Sequence, residues 1–115
     1  MAWEIEGTDI FFEWFKGLDD SEKQSVIASV DLLESRGTAL VFPHSSKITS
    51  SAFGQMRELR IQHKGRPLRV LYAFDPRRTG LLLLGGDKTG DDRWYEKFVP
   101  IADKLFTDHL NALRE

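Results

Sequence analysis

Three strand-like runs separated by two turn signals occupy the middle of the chain, between Met56 and Asp92. The first ends in Glu-Leu-Arg-Ile-Gln-His, the second is Leu-Arg-Val-Leu-Tyr-Ala-Phe, and the third is Leu-Leu-Leu-Leu-Gly-Gly. Lys64-Gly65-Arg66-Pro67 and Asp75-Pro76-Arg77-Arg78-Thr79-Gly80 lie between them, and both are rich in residues that reverse a chain. An antiparallel β-meander is the arrangement that short turns between strands allow. Strands are predicted over about Gln55–His63, Leu68–Phe74 and Leu81–Gly86, with the last ending at its paired glycines.

Side-chain alternation assigns the faces. In the first strand, Arg57, Leu59 and Ile61 share one side, and Glu58, Arg60 and Gln62 share the other. In the second, Leu68, Val70, Tyr72 and Phe74 oppose Arg69, Leu71 and Ala73. Arg69 is therefore a lone charge in an otherwise apolar central strand. Burying it without a partner is costly, so it must meet a carboxylate, solvent or a ligand phosphate. An ion pair with Glu58 is the structural alternative to a site role. The third strand is aliphatic throughout, as expected of a strand covered on both faces.

The flanking sequence supplies helices. Residues 2–6 alternate Trp3 and Ile5 with Glu4 and Glu6, which predicts a short half-buried strand. Thr8 is placed to cap a helix running to Gly17, with Ile10, Phe11, Trp14 and Phe15 on one face. Asp19 or Asp20 caps a longer helix with Val26, Ile27, Val30 and Leu33 at helical spacing, ended by Gly37. Residues 38–54 read as loop, with Leu40 and Phe42 pinning it down and His44 and Lys47 as exposed candidates for backbone contacts. After an Asp87–Asp92 loop, Asp91 or Asp92 caps a final helix. Pro100 should kink or restart that helix, because it removes a hydrogen bond and clashes with the preceding turn. The fold class is α+β: an N-terminal strand, a two-helix hairpin, an antiparallel meander and a C-terminal helix.

Charge is unevenly spread. From Arg57 to Arg93 there are nine Lys/Arg and five Asp/Glu, or +4, which leaves 7 basic and 13 acidic residues elsewhere, or −6. A basic sheet in an otherwise acidic protein suits an anionic partner. At 115 residues one domain spanning 1–115 is expected, large enough to fold without a staple. The chain has no cysteine, which excludes a disulfide framework, a thiolate metal site and a cysteine nucleophile. No secretory leader and no stretch of ~20 apolar residues is visible, so a cytoplasmic protein without membrane contact is expected.

His44, His63 and His109 lack metal-ligand spacing, so neither metal nor other cofactor is expected. Gly-Gly-Asp-Lys-Thr-Gly lacks Walker A spacing, and no nucleophile elbow is present. Arg60, Arg69, Lys88, Arg93 and Tyr95 remain. Such a set can hold a phosphodiester, stabilise charge on a pentacoordinate phosphate and assist proton transfer without metal.

The element order resembles the RelE/ParE toxin superfamily. Glu58-Leu59-Arg60, Arg69-Val70-Leu71-Tyr72-Ala73-Phe74 and the Leu-Leu-Gly-Gly-Asp-Lys segment carry the likeness. It spans nearly the whole chain and is greatest to the phage-derived HigB branch. The resemblance implies the toxin of a type II toxin–antitoxin pair, partnered by a cognate antitoxin. It also implies a ribosome-dependent mRNA interferase, in which a 2′-hydroxyl attacks the adjacent phosphate. By position, Arg69 resembles the strand arginine that contacts the scissile phosphate in RelE. Lys88 falls where RelE has its loop arginine, and Tyr95 resembles the tyrosine near the attacking hydroxyl, although Trp94 or Arg93 could face the site in its place. Arg57, Arg60, Arg66 and Arg93 are implied RNA contacts, with Glu58 supporting. Met56 and Glu58 stand where RelE has lysines, so RelE's proton-transfer scheme does not transfer. Two alternatives are a ParE-like, non-nuclease inhibitor of DNA gyrase and an inactive member that only binds antitoxin.

Overall fold

Thr8 and Asp19 start the N-terminal helices through their side chains. A computed structural model describes residues 2–115. After strand β1 (Ile5–Gly7), the Thr8 hydroxyl accepts from the Phe11 N–H, and helix α1 runs from Asp9 to Lys16. Asp19 and Glu22 form a reciprocal capping box at the start of α2, Asp20–Arg36. Gly37 closes α2 with φ +56°, where a side chain would be strained. Strands β2 (Ser45–Lys47), β3 (Arg57–His63), β4 (Arg66–Phe74) and β5 (Gly80–Asp87) precede helix α3, Trp94–Leu113.

The sheet order is β1-β5-β4-β3-β2. β2 to β5 pair antiparallel, and β1 joins the outer edge of β5 in parallel. The β3–β4 turn is the two-residue Lys64-Gly65, both at positive φ, which matches the twist of a tight hairpin. β4 therefore begins at Arg66, before Pro67, rather than at Leu68. A register shift between Leu71 and Tyr72 leaves Leu83 unopposed in β5, so Leu83 and Leu84 both reach the same core.

The sheet separates two cores. Leu59, Ile61, Leu68, Val70, Tyr72 and Leu82 meet Phe11, Val26 and Leu33 on the α1/α2 side. Leu71, Ala73, Leu81, Leu83 and Leu84 meet Trp94, Val99, Ala102 and Phe106 of α3 on the other. Each fully buried Val, Leu, Ile or Phe among them contributes roughly 1.5–3 kcal/mol.

Several expectations need correction. Ile10 and Ile27 are about half exposed, because the faces that reach the sheet are narrower than the full apolar stripes. Residues 38–54 are not wholly loop, since β2 pairs with Arg57–Leu59 of β3. Leu40 is buried, but Phe42 is exposed and pins nothing. β5 does not stop at Gly85-Gly86; it continues to Asp87. The glycines serve close approach instead. A Cβ on Gly85 would lie 2.3 Å from the Trp14 ring on one face, and one on Gly86 would lie 2.8 Å from Trp94 Nε1 on the other. Helix α3 runs through Pro100 without restarting, and Pro100 and Glu96, whose carbonyl it frees, both lie on the exposed side. Its N-cap is Arg93, not an aspartate; Asp91 instead accepts from the Arg93 N–H at 3.0 Å.

Candidate active site

The site lies on the α3 side of the sheet, where β3, β4, the segment after β5 and the first turn of α3 converge. Alternation turns Glu58 and Arg60 of β3 toward this side, together with Arg69 of β4. Arg60 and Arg69 are paired directly across the β3–β4 ladder. Two facing guanidinium groups repel, and Glu58 lies diagonally between them. One Glu58 oxygen is 3.4 Å from Arg69 Nε, and the other is 3.4 Å from Arg60 Nη1.

Glu58 is buried, and two hydroxyls complete its shell. Tyr95 donates to Oε1 at 2.6 Å, and Ser46 donates to Oε2 at 2.6 Å. Two hydroxyl donors and two guanidinium neighbours thus surround this buried side chain. Burial, then the hydrogen bond to Glu58, pushes the Tyr95 phenol above its usual pKa. Tyr95 is accordingly a neutral proton donor near pH 7. Lys88 Nζ stands 5.5 Å over the Tyr95 ring, a cation–π contact that brings the loop ammonium to the same place.

Arg69 is only 4% exposed. It donates to the Leu68 carbonyl at 3.0 Å, while its Nε, although near Glu58, is not aligned for a hydrogen bond. The ion pair with Glu58 that the sequence offered as an alternative is present. Arg69 is thus not a protruding group, and Arg60 and Lys88 are the more open cations. Beside Glu58 and Tyr95, a hollow of about 320 Å³ is also lined by Lys47, Ile48, Thr49 and Ser50.

The structure brings together Glu58, Arg60, Arg69, Lys88 and Tyr95. Tyr95, rather than Trp94, faces the group; Trp94 is buried against Gly86. Arg57 and Arg66 are elsewhere. Arg57 turns to the α1/α2 side and donates to Ser45 Oγ and the Leu40 carbonyl. Arg66 bridges Glu22 of α2 and Asp87 of β5. Arg93 is exposed at the start of α3. Ser46 is the partner that sequence reading missed, because a serine in an apparent loop carries no periodic signal. Among the described residues, no cluster of His, Asp and Glu could hold a metal ion, and no helix is long and apolar enough to cross a membrane.

The strand order and the layering of helices define a RelE-like α+β fold. Solved structures with this fold include a double mutant of the Escherichia coli toxin RelE in the free state, with TM-score 0.60 and 8% identity over 84% of this chain and 94% of that one. The archaeal RelE–RelB complex from Pyrococcus horikoshii OT3 aligns with TM-score 0.57 and 13% identity over 78% of this chain and 99% of that chain. A family model described as "Phage derived protein Gp49-like (DUF891)" matches residues 13–107. A Mycobacterium tuberculosis protein named "Putative toxin HigB3" is 46% identical over 92 residues, covering 79% of each chain. A second, "Putative toxin HigB2" from the same organism, is 37% identical over 99 residues, 84% of this chain but 49% of its own length. The chain belongs to the Gp49-like family and groups with the HigB-type toxins, and it shares the RelE fold.

Proposed function

We propose that this toxin is an mRNA interferase that acts on the ribosome and cleaves by internal attack of a 2′-hydroxyl on the adjacent phosphate. The 2′-oxygen–phosphorus bond forms as the bond from phosphorus to the 5′-oxygen breaks, leaving a 2′,3′-cyclic phosphate and a 5′-hydroxyl. The observation that carries this reading is the hydrogen bond of Tyr95 to the buried Glu58 carboxyl, with the Lys88 ammonium over the Tyr95 ring. Glu58, through Tyr95, takes the proton of the attacking hydroxyl. Lys88 stabilises charge on the phosphate and protonates the departing oxygen. Arg60 grips the phosphodiester from the more open side. Arg69 holds Glu58 in place, and reaches the phosphate only if the site opens. The chemistry supplied by these side chains calls for no metal. A cognate antitoxin is the expected protein partner, and the RelBE and archaeal RelE–RelB complexes lend support through their shared fold.

The test is brief induction in cells, followed by mapping of mRNA 5′ ends on and off ribosomes. Wild type should give A-site cuts with 5′-hydroxyl ends, and Lys88→Ala should give none at equal protein level. Arg69→Ala is a poorer probe, because it strands Glu58 without its buried partner.

The burial of Arg69 favours one other reading: a ParE-like inhibitor of DNA gyrase that uses the same fold without the nuclease chemistry. A DNA-damage response without mRNA breaks after induction would select it.

A further inference from the structure

The ring of Phe42 is 68% exposed, the highest value among the exposed large hydrophobic residues. Folding gives it no role, since Leu40, two residues earlier, fills the core position of this segment. The ring is nonetheless held in place. The segment turns on hydrogen bonds from the His44 and Ser45 N–H groups to the Val41 carbonyl, and the Arg60 N–H donates to the His44 carbonyl at 2.9 Å. The Arg60 guanidinium lies 5.1 Å from the Phe42 ring centroid, and the same guanidinium is 3.4 Å from Glu58. One side chain therefore joins an exposed aromatic ring to the candidate active site.

We propose that Phe42 and Arg60 form a stacking platform for a nucleobase next to the scissile phosphate, an inference that rests on the nuclease reading given above. With the Arg60 guanidinium over one face of the ring, the other face is open to a base while the cation stays in reach of the adjoining phosphate. The base lies on the ring, and the phosphate meets the cation. A purely apolar protein side chain fits less well, because seating it here would strip water from Arg60 and leave it only the 3.4 Å contact with Glu58. Phe42 is thereby a substrate-binding residue. Its contribution falls on binding rather than on the bond-breaking step, because the ring is separated from Tyr95 and Lys88 by Arg60 and Glu58.

The experiment uses Phe42→Leu and Phe42→Trp in the full chain, after mapping the wild-type cut site. An mRNA carrying 2-aminopurine beside that site, programmed on ribosomes, reports stacking by fluorescence quenching. Phe42→Leu should abolish the quenching and raise KM about 5- to 150-fold, the range expected for one base–aromatic stack. Its kcat should change by less than about twofold. Phe42→Trp should restore both readouts. Since the ring is exposed, the thermal midpoint of Phe42→Leu should match wild type, so a change in KM is not an unfolding effect. If wild type cuts and Phe42→Leu has the same KM and quenching, the platform is refuted and the nuclease reading stands. If Phe42→Leu keeps wild-type RNA constants but loses a copurifying antitoxin, the ring belongs to a protein interface and the platform is likewise refuted. If wild type cuts no mRNA, the nuclease reading fails and takes the platform with it.

Discussion

Arg60 and Arg69 stand directly opposite each other in the β3–β4 ladder, with Glu58 within 3.4 Å of both. The carboxylate makes this pairing tolerable, and the site inherits a fixed anion between two cations. Glu58→Gln should therefore cost roughly 3 kcal/mol of folding stability, the range for stranding one member of a buried pair. Urea unfolding measures it. The double variant Glu58→Gln/Arg69→Met should recover most of the loss, because no buried guanidinium is then left uncompensated. A single variant as stable as wild type would show that the carboxylate does not hold the arginines in place.

Tyr95→Phe deletes the hydroxyl that donates to Glu58. On the proposed mechanism the single-turnover cleavage rate should fall about 100-fold, the lower range for loss of an acid–base group. Burial and the bond to Glu58 hold the phenol above its usual 10.0. Wild type and Tyr95→Phe should therefore show parallel rate–pH profiles up to about pH 9, since Tyr95 does not ionise below its raised pKa. A wild-type alkaline step that vanishes in the variant would contradict this.

The paired glycines of β5 make a steric prediction. Gly85→Ala places a methyl 2.3 Å from the Trp14 ring and should destabilise the protein by about 1–3 kcal/mol. Gly54→Ala, whose added Cβ would meet nothing within 4 Å, should stay within about 0.5 kcal/mol of wild type. Thermal melts of the two variants compare them directly.

Asp75 governs the acid limb of stability. Burial pushes its carboxyl up, but hydrogen bonds from Arg77, His109 and the backbone N–H groups of Thr79 and Arg77 outweigh burial and hold it below 3.8. The folded state then binds fewer protons than the unfolded state, so this stabilisation is present above the unfolded value and disappears as pH falls through the folded one. Asp19 and Glu22 act in the same direction, each chiefly through the backbone bond of their shared capping box. Melting temperatures should fall steeply below about pH 4, and Asp75→Asn should flatten that fall.

Regular elements were legible in the sequence because each carries its own signal. Thr8, Asp19 and Gly37 mark helix ends, and the alternation in β3 and β4 places Glu58 and Arg69 on one face. β2 was not legible. Ser45-Ser46-Lys47 has no apolar pattern, and it pairs because Tyr72 and Arg57 both reach the Ser45 hydroxyl from strands distant in sequence. The destinations of Arg57 and Arg66 were hidden for a related reason. Both sit on the face that parity assigns to the helices, where Arg66 meets Glu22, 44 residues away. Arg69's burial follows from α3 lying across it through Tyr95, and no local pattern encodes that.

With a bare backbone at Gly85 and Gly86, β5 is gripped by one indole from each layer at the point where it leads into Lys88. The two helical layers are thus separated by a single peptide thickness there. Prying α1 outward would lift Trp14 from its seat and leave the strand braced from one side only.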